Sequence, residues 1–181
     1  EIDVADANTK AVAEWNALNT QAYANANGTC STMGAGGLRA QYYNYVPNST
    51  RLPPPSVFEQ APIKTEVLGP LTLDDSLLIS KGLPVDYVVL NALGYIQAPV
   101  TGLVTFYVSS DDGKRVYISN TTTGLLVLKI DDWYNQGANE KEFSLNMTAG
   151  EFYKFKLEYF EESGAAYLNA MWSYAGQAKV N

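Results

Sequence analysis

Two adjacent carboxylates, Asp111 and Asp112, are the residues of this chain whose types and spacing most directly suggest chemistry. They lie in residues 109–113 (SSDDG), between two segments of alternating apolar residues. Neighbouring carboxylates repel each other unless a cation lies between them, and oxygen ligands on an exposed loop suit Ca²⁺. Successive side chains of an extended trans backbone point to opposite faces. Both carboxylates can therefore reach one ion only if the backbone twists, as a cis peptide bond would allow.

The same five residues are also compatible with an ordinary turn. An Asp-Gly pair between alternating apolar segments is the usual signal for a tight β-hairpin. A calcium site and a plain hairpin turn are therefore both open interpretations of residues 109–113.

The residue types that the chain lacks exclude several kinds of catalysis. It has no histidine and one cysteine, Cys30, so Ser-His-Asp and Cys-His catalysis, His-ligated zinc and an internal disulfide are excluded. Glycoside hydrolysis needs two carboxylates across one cleft, and no spacing in the sequence indicates such a pair. We expect a protein that is not an enzyme.

Length and charge narrow the class of protein further. The chain has 181 residues, of which 46% are hydrophobic and 17% charged, and a net charge of −7. This composition is typical of one globular domain rich in β-structure. The acidic balance argues against nucleic acid as a partner, because binding a phosphate backbone requires cationic side chains. No segment approaches the roughly 18 apolar residues needed to span a bilayer, so no membrane insertion is expected.

Four Asn-x-Ser/Thr sequons, the acceptors of N-linked glycans, begin at Asn27, Asn48, Asn120 and Asn146. A chain of this composition would contain about two by chance. All four lie in turn-like surroundings, where a glycan would be solvated. The excess favours secretion through a eukaryotic pathway, with coincidence in an Asn- and Thr-rich chain as the alternative.

The first 36 residues differ in pattern from the rest of the chain. The apolar residues of 8–26, among them Trp15, repeat every 3.6 residues or so and predict one helix. Residues 28–37 are small and glycine-rich, which predicts a linker or loop. We therefore expect an N-terminal helix and linker in residues 1–36 and a separate domain in residues 37–181.

From residue 38 onwards, apolar residues alternate with polar ones in short segments that Gly, Pro and Asp-Gly turns separate. Strands are predicted at residues 38–43, 63–67, 85–90, 101–110, 114–119, 124–130, 140–147, 151–160 and 165–173. No helical crossover is visible between them. The pattern predicts an all-β fold, an antiparallel β-sandwich with one short N-terminal helix.

Several segments, in a fixed order, resemble the PA14 family, the sugar-binding domain family first defined in the anthrax protective antigen. The matching segments are residues 38–43 (LRAQYY), 93–102 (LGYIQAPVTG), 105–107 (TFY), 110–113 (SDDG), 116–118 (VYI), 131–133 (DDW), 145–150 (LNMTAG), 157–161 (LEYFE) and 172–173 (WS). The resemblance extends over about residues 37–174.

The resemblance implies a two-sheet sandwich that binds carbohydrate through Ca²⁺, as in flocculin-like and epithelial adhesins of fungi. In those adhesins a cis Asp-Asp pair on one loop holds the ion, and paired sugar hydroxyls complete its shell. Asp111 and Asp112 match that pair. A second loop supplies an Asn in the adhesins, whereas the aligned residues 160–164 offer Glu161. Since a carboxylate can also bind calcium, the implied metal ligands are Asp111, Asp112 and Glu161.

Sugar specificity is expected from the rim of such a site, where aromatic rings stack on the sugar and polar groups read its hydroxyls. The predicted sugar-binding residues are Asp111, Asp112, Trp133, Tyr134, Gln136 and Glu162. For Trp133 a half-buried position at a strand end is an equal alternative, and Asp131-Asp132 is a rival metal pair.

Two further features are interpreted without a ligand. Trp172 follows the strand pattern and is expected in the core. A third acidic pair, Asp74-Asp75, matches no family segment and is expected in a surface turn.

The sequence therefore predicts a calcium-dependent carbohydrate-binding (lectin) domain of a secreted or cell-wall adhesin, with a fungal cell wall as the expected location. Its partner would be a cell-surface or cell-wall glycan. We expect a monomeric domain on a longer stalk, because adhesion through one weak sugar site requires many copies. The alternative is a non-catalytic accessory module of a glycosidase or toxin.

Overall fold

The computed structural model describes residues 37–47, 49–121 and 124–181. Several features predicted from the sequence lie outside these residues: the helix at 8–26 with Trp15, Cys30, and the sequons at Asn27 and Asn48. Of the other two sequons, Asn120 and Asn146 are both exposed, and Thr122 is outside the described residues. The part that the structure describes belongs to one compact unit, Gly37–Asn181.

Eleven strands and two short helices make up this unit in the described residues. The strands are β1 (Leu38–Asn44), β2 (Lys64–Leu68), β3 (Thr72–Asp74), β4 (Val88–Gln97), β5 (Gly102–Asp111), β6 (Lys114–Ser119), β7 (Leu126–Asp132), β8 (Asn139–Met147), β9 (Phe152–Glu161), β10 (Tyr167–Tyr174) and β11 (Gln177–Val180). A 3₁₀ helix spans Pro55–Glu59, and the α-helix α1 spans Asp75–Ser80. None of the helices in the described ranges has the length and apolar character needed to cross a membrane.

The strands form two antiparallel sheets that enclose the core, as the sequence predicts. One sheet has the order β2-β1-β4-β9-β6-β7, and the other has the order β11-β10-β5-β8, with β3 also paired to β10. Strand residues of both sheets alternate between the core and the outer face, because side chains along a strand alternate. The core between the sheets includes Tyr42, Leu90, Val108, Leu157 and Leu168. The predicted antiparallel β-sandwich is thus confirmed.

One strand prediction is wrong in its limits, and two short strands are not predicted. The strand predicted at 85–90 begins later, because Tyr87 has a positive φ of 53°, and it continues as β4 to Gln97. Gly94, which interrupts the apolar pattern, lies inside β4 where β1 approaches closely: a Cβ there would be 3.0 Å from the Leu38 side chain. The short strands β3 and β11 have too few alternating residues to be recognised from the sequence.

The expected surface turn at Asp74-Asp75 is also wrong, because these residues end β3 and begin α1. The Asp74 carboxylate accepts a hydrogen bond of 2.7 Å from the Leu77 backbone N–H, which is the usual role of an Asp at a helix N-cap. Leu78 anchors this short helix in the core. Trp172, expected in the core, is partly buried and packs against it beside Phe106.

The connection from β5 to β6 is a crossing between the two sheets. β5 pairs with β8 and β10, whereas β6 pairs with β7 and β9. The plain hairpin that Asp112-Gly113 also allowed is therefore wrong. The peptide bond between Asp111 and Asp112 is cis. At this crossing the chain passes directly against Phe160 of β9, whose backbone N–H donates to the Gly113 carbonyl at 3.0 Å.

Gly113 is required at the crossing because the Phe160 ring leaves no room for a side chain there. A Cβ at this position would be 2.2 Å from the Phe160 ring. Phe160 itself cannot move outward freely, because it belongs to a second apolar cluster on the outer face of the six-stranded sheet, with Tyr43, Tyr45 and Val57.

We predict that Gly113→Ala destabilises the fold by about 1–3 kcal/mol, since overpacking of a close contact has this cost. Urea unfolding measures the change. The control is Gly69→Ala, where a Cβ meets no atom within 4 Å and the expected change is within about 0.5 kcal/mol. Equal stabilities of the two variants would contradict the close contact.

Candidate metal and ligand site

Three carboxylates from two strand ends meet at one end of the sandwich. Asp111 is the last residue of β5, Asp112 follows it, and Glu161 is the last residue of β9. One carboxylate oxygen from each lies within 4.8 Å of the others, a spacing that could hold a metal ion. Asp112 and Glu161 are buried and Asp111 is partly buried. The structure therefore brings together the three residues that the sequence predicts as metal ligands.

Backbone N–H groups from two loops fix the Asp pair. The Gln136 N–H donates to Oδ1 of Asp112, and the Glu162 N–H donates to Oδ2, each at 2.8 Å. The Ala138 N–H donates to the Asp111 carboxylate. Each carboxylate oxygen can accept two bonds, so these contacts orient the pair and leave acceptor capacity for a cation.

The carbonyl groups of the same two residues are held from inside the sandwich. The Tyr159 hydroxyl donates to the Asp111 carbonyl at 2.8 Å, and the Ser110 hydroxyl donates to the Asp112 carbonyl at 2.6 Å. Both donors are buried or partly buried, where a hydrogen bond competes little with water. The backbone of the Asp pair is therefore fixed on both sides of the crossing.

Glu161 is a buried carboxylate with an unsatisfied oxygen. Its side chain is 0% exposed, and its Oε1 has no hydrogen-bond partner among the described residues. Burial, followed by the negative charges of Asp112 and Asp111, raises the pKa of Glu161 to about 8. Leaving a buried acceptor unpaired costs free energy, so the arrangement calls for a proton or a cation at this oxygen.

Burial and neighbouring negative charge also act on Asp111. Burial and the charge of Asp112 raise its pKa, and the hydrogen bond from Ala138 opposes them. Within the described ranges, no Lys or Arg forms an ion pair with Asp111, Asp112 or Glu161. The three carboxylates together have the charge and the hard oxygen donors that suit a divalent cation.

The Glu162 side chain lies in a different environment from the one expected of a sugar-binding residue. Arg51 binds its carboxylate in a bidentate way through one edge of the guanidinium group: Nε donates to Oε1 at 2.8 Å and Nη2 donates to Oε2 at 2.6 Å. Ser163 donates to the same carboxylate at 2.9 Å. Glu162 thus contributes its backbone N–H to Asp112, while its charge is paired with Arg51.

The three rim candidates in the loop between β7 and β8 lie in different surroundings. Gln136 supports Asp112 directly: besides its N–H, its Nε2 lies 3.3 Å from the Asp112 carbonyl. Trp133 is half-buried, with its ring 4.7 Å from Phe160 and the Arg115 guanidinium 4.8 Å from its centroid. Trp133 therefore occupies the half-buried position that the sequence left as the alternative.

Tyr134 is exposed, and its hydroxyl bonds to Asp132, which raises the pKa of Tyr134. It is the most exposed of the three rim candidates in this loop.

The rival pair Asp131-Asp132 is neutralised by cations. Lys114 Nζ lies 2.9 Å from Asp132 Oδ2, and Arg115 Nε lies 2.7 Å from Asp131 Oδ1. Burial alone would raise the pKa of Asp132, but hydrogen bonds from Lys114, Tyr134 and Gln136 bring it to about 2. Because each carboxylate has its own cation on the neighbouring strand, this pair is explained without a metal ion.

Sequence reasoning missed two neighbours of the acid cluster. Asp75, dismissed as part of a turn, accepts the Ala166 N–H at 2.9 Å, and its charge also raises the pKa of Glu161. Tyr167 of β10 lies directly opposite Asp111 in the strand register. No local pattern marks either residue, because their position depends on the pairing of strands that are distant in sequence.

The family to which the chain belongs follows from comparison with known proteins. The PA14 domain model matches residues 37–181, so the chain belongs to the PA14 family, and the predicted resemblance is confirmed at this level. Residues 1–31 match a family of unknown function (DUF5977).

The similar proteins include anti-sigma factors and adhesins. The chain is 32% identical over 157 residues to the anti-sigma-I factor RsgI3 of Acetivibrio thermocellus. The aligned region covers 84% of this chain and 20% of that protein. A solved anti-sigma factor domain-containing protein is similar with a TM-score of 0.64 and 25% identity over 80% of this chain and 45% of that one. This chain thus spans about a fifth of the curated relative and less than half of that solved chain.

The epithelial adhesin 6 A domain of Candida glabrata, solved in complex with Galβ1-3GlcNAc, is also similar in structure. The TM-score is 0.59 with 16% identity, over 83% of this chain and 85% of that one. At this level of identity the comparison shows a shared fold.

We predict that the metal-free protein loses stability as the pH rises from about 5 towards 8. The pKa of Glu161 is near 8 in the folded protein and near its ordinary value of 4.5 in the unfolded chain. Over this window the folded state holds a proton that the unfolded state has released, so the free energy of unfolding falls with pH. Urea unfolding in EDTA at pH 5.5, 6.5 and 7.5 measures it.

The matched control is Glu161→Gln, which keeps the shape and removes the titrating group. Its free energy of unfolding should fall less steeply than that of the unchanged protein over the same window. Parallel pH profiles of the two proteins would show that Glu161 is not the buried proton acceptor described above.

Proposed function

We propose that the chain contains a calcium-dependent carbohydrate-binding domain whose ion is held by Asp111, Asp112 and Glu161. The observation that carries the proposal is the buried Glu161 carboxylate, with an unpaired oxygen beside two further carboxylates. A cation there would satisfy the oxygen and offset the repulsion of the three charges at once.

Calcium suits these ligands better than other common cations. The donors are all hard carboxylate oxygens, with neither nitrogen nor sulfur among them, which is unlike a zinc site. Calcium accepts six to eight oxygens in irregular geometry, whereas magnesium demands a near-ideal octahedron. A bound calcium ion would supply coordination positions that two neighbouring sugar hydroxyls can fill in place of water.

Carbohydrate is the ligand class that the family and the fold favour. The PA14 match supports it, and the adhesin domain with the shared fold was solved with Galβ1-3GlcNAc. In this chain a glutamate, Glu161, takes the position where the resemblance to fungal adhesins leads us to look for an asparagine. The added negative charge should strengthen the hold on the ion and change how the ion's remaining positions are presented to a sugar.

Two kinds of larger protein are supported as the one that contains this domain. An adhesin, secreted or on a fungal cell wall and presenting the domain as a monomer on a stalk, is supported by the sequons and the adhesin-like fold. A carbohydrate-binding module of a larger regulatory protein is supported by 32% identity to an anti-sigma-I factor. In both cases we propose a non-catalytic domain in residues 37–181, exposed to glycans outside the cytoplasm, with residues 1–36 as a separate segment.

We predict that Ca²⁺ raises the melting temperature of the protein and that Asp112→Asn removes most of this increase. A ligand at about 100 times its Kd stabilises the folded state by about 2.7 kcal/mol, which is several degrees for a domain of this size. The control is Asp131→Asn in the other Asp pair, whose carboxylate is bound to Arg115; it should keep the increase. A similar calcium response of the two variants would contradict the site.

We predict that sugar binding requires calcium. A glycan array with Ca²⁺ and with excess EDTA would identify the ligands, and calorimetric titration with Galβ1-3GlcNAc would quantify one of them. Heat should be released with Ca²⁺ and be absent with EDTA. Equal binding under the two conditions would remove calcium from the proposal while leaving a carbohydrate-binding domain.

A further inference from the structure

We propose that Tyr167 and Asp75 form a subsite beside the acid cluster that recognises the sugar ring bound there. The Tyr167 ring would stack on the apolar face of the pyranose, and the Asp75 carboxylate would accept a hydrogen bond from one of its hydroxyls. The inference rests on the proposed function and adds the residues that select the sugar.

Tyr167 lies next to a predicted metal ligand on the neighbouring strand. In the register of β10 it is opposite Asp111 on one side and opposite Asp74 on the other. Directly opposed residues of antiparallel strands share a face of the sheet, with Cβ atoms about 4.5–5.5 Å apart. The Tyr167 side chain is 39% exposed, so a ring is available to a ligand at this edge of the site.

Two hydrogen bonds fix Tyr167 relative to the Asp pair. Its backbone N–H donates to the Tyr159 hydroxyl, and that hydroxyl donates to the Asp111 carbonyl at 2.8 Å. Tyr159 is fully buried. These contacts fix the main chain at Tyr167, so that only the rotation of its side chain has to be restricted on binding, which favours affinity.

Asp75 approaches the cluster from the first turn of α1. Its Oδ1 accepts the Ala166 N–H at 2.9 Å, which places the carboxylate beside the residue that precedes Tyr167. A carboxylate can accept about four hydrogen bonds, so Asp75 keeps acceptor capacity for a hydroxyl group. Asp75 directly follows Asp74, which is opposite Tyr167 in the strand register, so it lies at the same end of the sandwich.

The charges around this subsite select the class of sugar. Asp75, Asp111, Asp112 and Glu161 together carry four negative charges when ionised, and a calcium ion would offset two. The nearby cations Arg51 and Lys114 are paired with other carboxylates. A neutral hexopyranose is therefore favoured over an acidic sugar such as a uronate, whose carboxylate would be repelled.

Calorimetric titration in saturating Ca²⁺ tests the subsite with methyl β-galactoside, methyl α-mannoside, methyl β-glucoside and galacturonate as probes. Tyr167→Ala should weaken binding of the preferred neutral glycoside on the order of tenfold, through loss of the stacked ring. Tyr167→Phe should retain it. Asp75→Asn keeps the acceptor for the Ala166 N–H and should weaken binding severalfold. Galacturonate should bind more weakly than the neutral glycosides.

The matched control is Tyr95→Ala, another partly exposed tyrosine, located towards the opposite end of β4 from Val88, which pairs with Glu161. It should leave sugar binding unchanged. Calcium affinity, measured without sugar, should stay within about threefold for Tyr167→Ala, because a residue that contacts only the sugar does not hold the ion.

The outcomes separate this inference from the proposed function. If the unchanged protein binds a neutral glycoside with calcium and Tyr167→Ala binds it equally well, the subsite is wrong and the function stands. If Tyr167→Ala loses calcium affinity as well, Tyr167 is a structural support of the metal site and the subsite is again wrong. If the unchanged protein binds calcium but none of the probes, both are overturned for these sugars.

Discussion

Repulsion among buried carboxylates is the constraint on which this end of the β-sandwich depends. Asp112 and Glu161 are buried, Asp111 is partly so, and none of them has a cationic partner in the described residues, although charges of this kind are expensive to remove from water. Two other buried acidic groups near the cluster do have cationic partners: Glu162 is paired with Arg51 and Asp132 with Lys114. Asp111, Asp112 and Glu161 instead lie together without such a partner, which is the pattern expected of ligands for a cation.

The frame that holds these three residues is built from the crossing between the sheets. β5 and β9 belong to different sheets and finish at the same end of the sandwich, so their terminal residues converge there. The loops after β7 and β9 direct backbone N–H groups at Asp112. Behind the first loop, Asp132 accepts from both Gln136 and the buried Lys114. The acidic site therefore rests on a neutral, hydrogen-bonded network, which keeps its geometry fixed before any ligand arrives.

The fold and the carboxylates of the proposed metal site were accessible from the sequence because they leave local or motif signals. Alternating apolar residues predicted the strands, and the Asp-Asp-Gly run within the family pattern predicted Asp111, Asp112 and Glu161 as ligands. The roles of Glu162 and Gln136 were not accessible, because which atom of a loop residue faces the site depends on partners such as Arg51, 111 residues away in sequence. Tyr167 and Asp75 are hidden for the same reason, since strand register between distant segments places them.

The central claim is that the three carboxylates converge on one calcium ion, and a crystal structure grown with CaCl₂ tests it most directly. The account predicts a single strong density peak bonded to oxygens of Asp111, Asp112 and Glu161 at about 2.3–2.6 Å, with an anomalous signal that fits calcium. Side chains pointing apart, with ordered water alone between them at saturating calcium, would contradict the account.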